Sequence, residues 1–152
     1  MYSGKAVRVS TIVIFGITKS GEAASLQKCF KERIFKGGKT RTESSFNGLI
    51  SCSSKCKYVF IHDAARPNPS KKLINEIINK LNYNHAVVPI IKTNDETKRF
   101  EKNLIFKNIQ RNSLGFSQTP QGFTFSKIYK KHKENINQSF DDDAALFTMY
   151  GE

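Results

Sequence analysis

No apolar run in the 152-residue sequence approaches the roughly 18 residues that a membrane-crossing helix needs, so a bilayer-spanning protein is not expected. The apolar stretch at 9–17 (VSTIVIFGI) is short, is preceded by only Lys5 and Arg8, and lacks the small-residue cleavage site of a secretory signal, so a cytoplasmic protein is expected. Cysteine is scarce. Cys29, Cys52 and Cys56 are an odd number without a signal sequence, which argues against a disulfide framework, and the pair four residues apart has no second pair at zinc-finger spacing. All three are expected as reduced thiols. There is no internal repeat and no low-complexity linker, and the length leaves room for one domain at roughly 100–200 residues each.

Acid is the other shortage. Thirteen Asp and Glu stand against 25 Lys and Arg, a formal charge of +12 that favours nucleotides, phosphorylated metabolites, nucleic acid or an acidic membrane surface as partners. The basic residues are scattered among Asn, Ile and Phe, as on a solvated face, with no aromatic-interleaved stripe and no RNA-binding signature. Neither a nucleic acid nor a membrane is expected as partner, a basic nucleic-acid-binding module standing as the alternative that would show a steep salt dependence.

Periodicity gives the class. The apolar run Tyr58-Val59-Phe60-Ile61 reads as a parallel strand buried on both faces, and 9–17 as a second buried strand. Behind Ser70, residues Leu73, Ile74, Ile77, Ile78 and Leu81 form one stripe of a capped helix, and 86–91 (AVVPII) reads as the next strand. Strand, helix and strand compose a right-handed βαβ unit, hence an α/β fold. Residues 22–35 are loosely compatible with a helix, and 42–50 with another capped by Thr42-Glu43-Ser44. Residues 92–110 read as a projecting hairpin or arm, 123–135 as a Lys-rich helix, and 141–150 as a helix with acids at its positive end.

Three places carry candidate chemistry. His62-Asp63-Ala64-Ala65-Arg66-Pro67 follows a buried strand, at the carboxyl end where open α/β sheets bind ligands. Asp63 there suits Mg²⁺ or a hydroxyl, Ala64 lets a ligand approach the backbone, and Arg66 suits phosphate. The alternative is that Asp63 and Arg66 pair only with each other. Arg111-Asn112 and Gln118–Phe123 (QTPQGF) offer a guanidinium and the Thr119 hydroxyl for a phosphate monoester, against the plainer reading of a Pro-Gly turn before a helix. Asp141, Asp142 and Asp143 are either a metal cluster or, more commonly, an N-terminal acidic cap. Gly38-Lys39-Thr40 is no P-loop, because Arg33 stands where the first glycine is needed. His85 and His132 have no partners at ligand spacing and read as surface or internally satisfied histidines.

Taken in order, GGKTRTESSFNGL, VFIHDAARP, RN with QTPQGF, and DDDAALFTMYG resemble the methylerythritol-phosphate cytidylyltransferase family, from Gly37 to about Gly151. The segments NDETKR and FDDDA resemble those of members fused to a cyclodiphosphate synthase, no half of which is present in this sequence. The resemblance implies a Rossmann-like nucleotidyltransferase sheet with a projecting dimerisation arm, lacking N- and C-terminal elements, with 1–36 outside the likeness and 37–152 a partial domain. It implies CMP transfer from CTP to 2-C-methyl-D-erythritol 4-phosphate, with Mg²⁺. Gly38, Ser44, Asp63 and Ala64 match nucleotide contacts, and Asp63 also the metal. Asp63, Arg66, Thr119 and Asp142 match substrate contacts, and Arg111 the catalytic arginine. A homodimer through 92–115 follows, with Arg111 serving the partner's site.

The family's L-x-A-A-G-x-G-x-R loop and PKQ lysine have no counterpart in 1–36, and its late lysine falls past Glu152. Lys39 stands where the family often has Asp, Glu96 meets the arm threonine of D-T-x-K, and Asp141 replaces a threonine. Removing one preorganised donor costs about 3–4 kcal/mol of transition-state stabilisation, so this chain alone is expected to turn over very little. A catalytically inactive fragment that keeps the arm and partial nucleotide binding is one alternative; the basic nucleic-acid-binding module, which would show no preference for CTP, is the other.

Overall fold

A computed structural model describes residues 12–18, 37–53, 55–66 and 69–148. The expected helix at 22–35, Cys29, positions 9–11 of the first strand and the end of the last helix lie outside the described residues.

Among the described residues four strands make the central sheet in the order β1-β2-β8-β3: β1 Ile12–Thr18, β2 Cys56–Asp63, β3 Ala86–Val87 and β8 Gln121–Thr124. Every neighbouring pair is antiparallel, including β1 with β2, which corrects the expected parallel environment of β2. Since β2 and β3 are both antiparallel to β8, they run in the same direction, as a βαβ unit requires, but with β8 inserted between them. Burial on both faces is met: residues 58–62 are all buried.

Alternation along β2 assigns those faces. Val59 and Ile61 join Leu49 of α1 (Arg41–Ile50), Phe123 of β8, Ile128 of α3 (Phe125–Glu134), and Leu146 and Phe147 of α4 (Ala145–Thr148). Tyr58 and Phe60 point the other way, onto Ile74, Ile77 and Leu81 of α2 (Lys71–Leu81). One strand thus feeds two cores, and helices cover both faces of the sheet. The stripe of α2 falls as its periodicity predicts, with Leu73 N–H donating to the Ser70 cap hydroxyl at 3.1 Å. Helix and sheet come close because Gly122 lacks a side chain: a Cβ there would lie 2.3 Å from Ile77 Cγ2.

Several boundaries differ from the sequence reading, each for a local reason. Helix α1 starts at Arg41 and is capped by Thr40, whose hydroxyl accepts from Glu43 N–H at 3.1 Å, rather than by Thr42-Glu43-Ser44. Residues 86–91 are not one strand. Val88-Pro89 separates β3 from β4 (Ile90–Lys92), consistent with a proline that has no N–H for a ladder. Phe123 and Thr124 end a strand, so α3 begins two residues later than its lysine pattern suggests. The last helix starts at Ala145 rather than at Asp141, because the acids before it make tertiary contacts.

The arm forms as expected, in two ribbons. Strand β4 pairs with β7 (Gly115–Ser117), and β5 (Thr97–Glu101) pairs with β6 (Leu104–Ile109). Lys102 and Asn103, both at positive φ, make the two-residue turn of that hairpin. Phe100, Leu104, Ile105 and Phe106 on the hairpin are exposed.

Candidate functional site

Antiparallel pairing of Ile61 with Gln121 brings the carboxyl end of β2 beside the loop that enters β8. There the two separate motifs meet. Asp63 N–H donates to Thr119 Oγ1 at 3.1 Å across 56 residues of sequence, and the Arg66 guanidinium donates to Gln118 Oε1. The 119–120 bond is a cis X-Pro peptide. Arg66 N–H closes the turn on the Asp63 carbonyl at 3.0 Å, and His62 Nε2 donates to the Arg66 carbonyl at 2.6 Å. A carbonyl only accepts, so that imidazole carries its proton on Nε2.

Asp63 and Arg66 are paired with each other, at 3.9 Å, but not only with each other. Their side chains remain 54% and 49% exposed, so the pair is loose and both charged ends face outward beside the half-buried Ala64. A carboxylate, a guanidinium and a hydroxyl converge here, the set that grips a phosphate monoester or its metal. Among the described residues no three His, Cys, Asp or Glu side chains gather closely enough to hold a metal by themselves.

The Gly38 turn is built just as locally. Gly38 N–H donates to Ser44 Oγ at 2.9 Å, and Ser44 Oγ donates to the Thr40 carbonyl at 2.8 Å. Lys39 N–H donates to the Glu43 carboxylate at 2.5 Å, which folds Glu43 over Gly38 so that a Cβ there would sit 2.3 Å from Glu43 Cγ. Gly38 and Ser44 are thus brought together at the amino end of α1.

The acidic run is neither a metal cluster nor a simple cap. Asp142 accepts from Ser117 Oγ at 2.8 Å, Gln121 Nε2 at 2.7 Å and Ala144 N–H at 2.6 Å. Asp143 is 1% exposed and turns the opposite way, to Arg41 at 2.6 Å, His132 Nε2 at 2.9 Å and Ser45 Oγ at 3.3 Å. Burial works against its charge, but the hydrogen bond from His132 and the nearby Arg41 outweigh it and hold the carboxyl below the ordinary range. His132 is thus an internal histidine held at Nε2 by Asp143, while its buried Nδ1 has no hydrogen-bond partner among the described residues, and His85 is exposed.

Arg111 makes its contacts with arm residues. It lies on a short 3₁₀ turn (Arg111–Ser113) after β6, donates to the Asn94 carbonyl at 3.2 Å, and lines an open cleft of ≈ 430 Å³ with Thr97, Lys98 and Asn108. Sequence reasoning did not single out Arg41, Ser117, Gln118 or Gln121. The one available signal was that Arg41 supplies the arginine of the GG-x-x-R segment.

Comparison with known proteins agrees with this architecture. The profile of the family described as "IspD: 2-C-methyl-D-erythritol 4-phosphate cytidylyltransferase" matches residues 3–152, a span that takes in most of the first 36. The chain is 43% identical over 121 residues to the bifunctional enzyme IspD/IspF of Pelagibacter ubique, a match covering 79% of this chain and 32% of that protein. It is 39% identical over 122 residues to the 2-C-methyl-D-erythritol 4-phosphate cytidylyltransferase of Prochlorococcus marinus, covering 78% and 54%. The solved 4-diphosphocytidyl-2C-methyl-D-erythritol synthase of Anaerococcus prevotii superposes with a TM-score of 0.71 at 30% identity, over 79% of this chain and 54% of that one. The chain therefore spans about a third of the bifunctional relative and about half of the shorter ones.

Proposed function

This chain belongs to the 2-C-methyl-D-erythritol 4-phosphate cytidylyltransferase family, and from that premise we propose that it serves transfer of CMP from CTP to 2-C-methyl-D-erythritol 4-phosphate. The observation that carries the reading is the convergence of Asp63, Arg66 and Thr119 at the end of β2, drawn from motifs 56 residues apart. A phosphate oxygen of methylerythritol phosphate attacks the α-phosphorus of CTP in line. The new P–O bond forms as the bond to the β-phosphate breaks, and pyrophosphate leaves with that electron pair.

Gly38 and Ser44 hold the nucleotide base and ribose, and Ala64 admits the ligand to the backbone beside Asp63. Asp63, Arg66 and Thr119 bind the methylerythritol phosphate, with Asp142 fixing Ser117 and Gln121 behind Thr119. A divalent cation such as Mg²⁺ neutralises triphosphate charge when bound. Asp63 suits it as a single exposed carboxylate, since Mg²⁺ commonly takes one or two carboxylates and completes its shell from substrate phosphates and water. Arg111 positions the attacking phosphate in the site of a second subunit, which its place on the arm, in a cleft lined by arm residues alone, supports. The work of catalysis is orientation of two polyanions and charge neutralisation.

A second reading, nucleotide binding without turnover, is favoured by one observation: 1–36 contains no L-x-A-A-G-x-G-x-R segment to cradle a triphosphate. Pyrophosphate release by the purified chain with CTP, Mg²⁺ and methylerythritol phosphate separates the two. Turnover that Arg111→Ala abolishes supports transfer; a folded chain that binds CTP yet releases no pyrophosphate supports the second reading.

A further inference from the structure

The residues proposed for the site fall into two groups, the Gly38–Ser44 turn before α1 and the turn after β2 (Asp63, Ala64, Arg66) joined to Thr119 after β7, and no bond given above joins the two groups directly. What joins them is the segment 140–144. On one side it is tied to α1: Phe140 N–H donates to Thr42 Oγ1 at 2.8 Å, and Asp143 receives Arg41 and Ser45. Thr42 and Ser45 lie on either side of Ser44, the hydroxyl that holds Gly38. On the other side Asp142 receives Ser117 and Gln121, which bracket Thr119, the hydroxyl that takes the Asp63 N–H. Two consecutive carboxylates thus face opposite ways. His132 fixes Asp143 from α3, and its ring stacks on Phe46 of α1 with centroids 6.0 Å apart.

We infer that Asp143 is a positioning residue that, through Arg41 and its neighbour Asp142, holds the Gly38–Ser44 turn and the Asp63–Thr119 turn at a fixed separation. Buried at 1% exposure, it cannot reach a ligand without displacing the contacts that hold it. A charged residue there has a purpose that a buried apolar residue could not serve: it fixes a unique arrangement of three elements. Two polyanions must meet within a few tenths of an ångström for in-line attack, so slippage between the turns misaligns them. The catalytic consequence rests on the function proposed above. The mechanical statement does not.

Amide hydrogen exchange in the full chain tests it without requiring turnover. The reporters are the Gly38 and Asp63 N–H groups, whose acceptors are Ser44 Oγ and Thr119 Oγ1. The Val59 and Phe123 amides of the core report global opening. For Asp143→Asn the expected result is faster exchange at both reporters, by about tenfold beyond any change at the core amides. For Asp142→Asn it is faster exchange at Asp63 alone. Should Asp143→Asn fail to fold, Arg41→Gln, whose side chain is a quarter exposed, is expected to loosen both reporters in the same way. Reporters that accelerate only in step with the core, or acceleration at one reporter alone in Asp143→Asn or Arg41→Gln, would overturn the inference. If exchange behaves as expected while pyrophosphate release is absent, the clamp stands and the transfer reading fails.

Discussion

Asp143 receives an arginine, a histidine and a serine at 1% exposure, so its ionisation is tied to folding. Its carboxyl is held below the ordinary range in the folded state, whereas in the unfolded chain it returns to about 3.9. As acid is added the unfolded chain therefore takes up the proton first. The contribution is complete above about pH 5 and is lost as the pH falls through the lower folded value. The urea midpoint should decline on acidification below about pH 5, and Asp143→Asn should flatten that decline while costing roughly 3 kcal/mol at pH 7 by stranding Arg41 and His132. A variant whose acid profile matches the parent's would show that other carboxylates govern it. Cys52 gives the opposite shift: burial first, then the neighbouring Cys56, pushes its thiol up to about 11. At neutral pH it should alkylate far more slowly than a free thiol, measured with iodoacetamide and mass spectrometry.

Elements differ in how far their own sequence specifies them. Helix α2 was legible to the residue, because the Ser70 cap and a five-residue apolar stripe are local signals that packing then confirmed. Ser70→Ala should cost about 1 kcal/mol in a urea melt. Strand β2 was legible for burial but not for partner direction, since a continuous apolar run says nothing about which strands flank it. Strand β8 was hidden. QTPQGF has the composition of a turn, and only pairing with β2 and β3 makes its last three residues, with Thr124, a strand. Gly122 explains why that composition is used. Gly122→Ala would drive a methyl into buried Ile77, and overpacking of that kind costs about 1–3 kcal/mol, readable as a lowered urea midpoint with an unchanged slope. The site was half legible for a related reason. Asp63, Arg66 and Thr119 belong to recognisable local motifs, whereas Arg41 and Ser45 meet Asp143 from about 100 positions away, where no local pattern reaches.

At the scale of the molecule, apolar surface is divided unevenly. The central sheet is covered by helices on both faces, yet the β5–β6 hairpin exposes Phe100, Leu104, Ile105 and Phe106 at 60–73% and contributes nothing to either core. Nearby, Ile90, Ile91 and Phe116 of the β4–β7 ribbon are exposed at 56–63%. Clustered aromatic and aliphatic side chains in water are costly, and such patches mark contact surfaces. If the arm closes a homodimer, sedimentation velocity should show a monomer–dimer equilibrium that moves with protein concentration. Leu104→Asp with Phe106→Asp should shift it to monomer. Because these residues lie outside both cores, the unfolding free energy from a urea melt at a concentration where the parent is already monomeric should stay within about 0.5 kcal/mol of the parent. The same double variant discriminates the role assigned to Arg111. An arginine that serves a second subunit loses its effect when the dimer is lost, so pyrophosphate release should fall with dissociation even though Asp63, Arg66 and Thr119 are untouched. Full release from a demonstrably monomeric variant would return Arg111 to its own subunit's site and remove the need for a dimer.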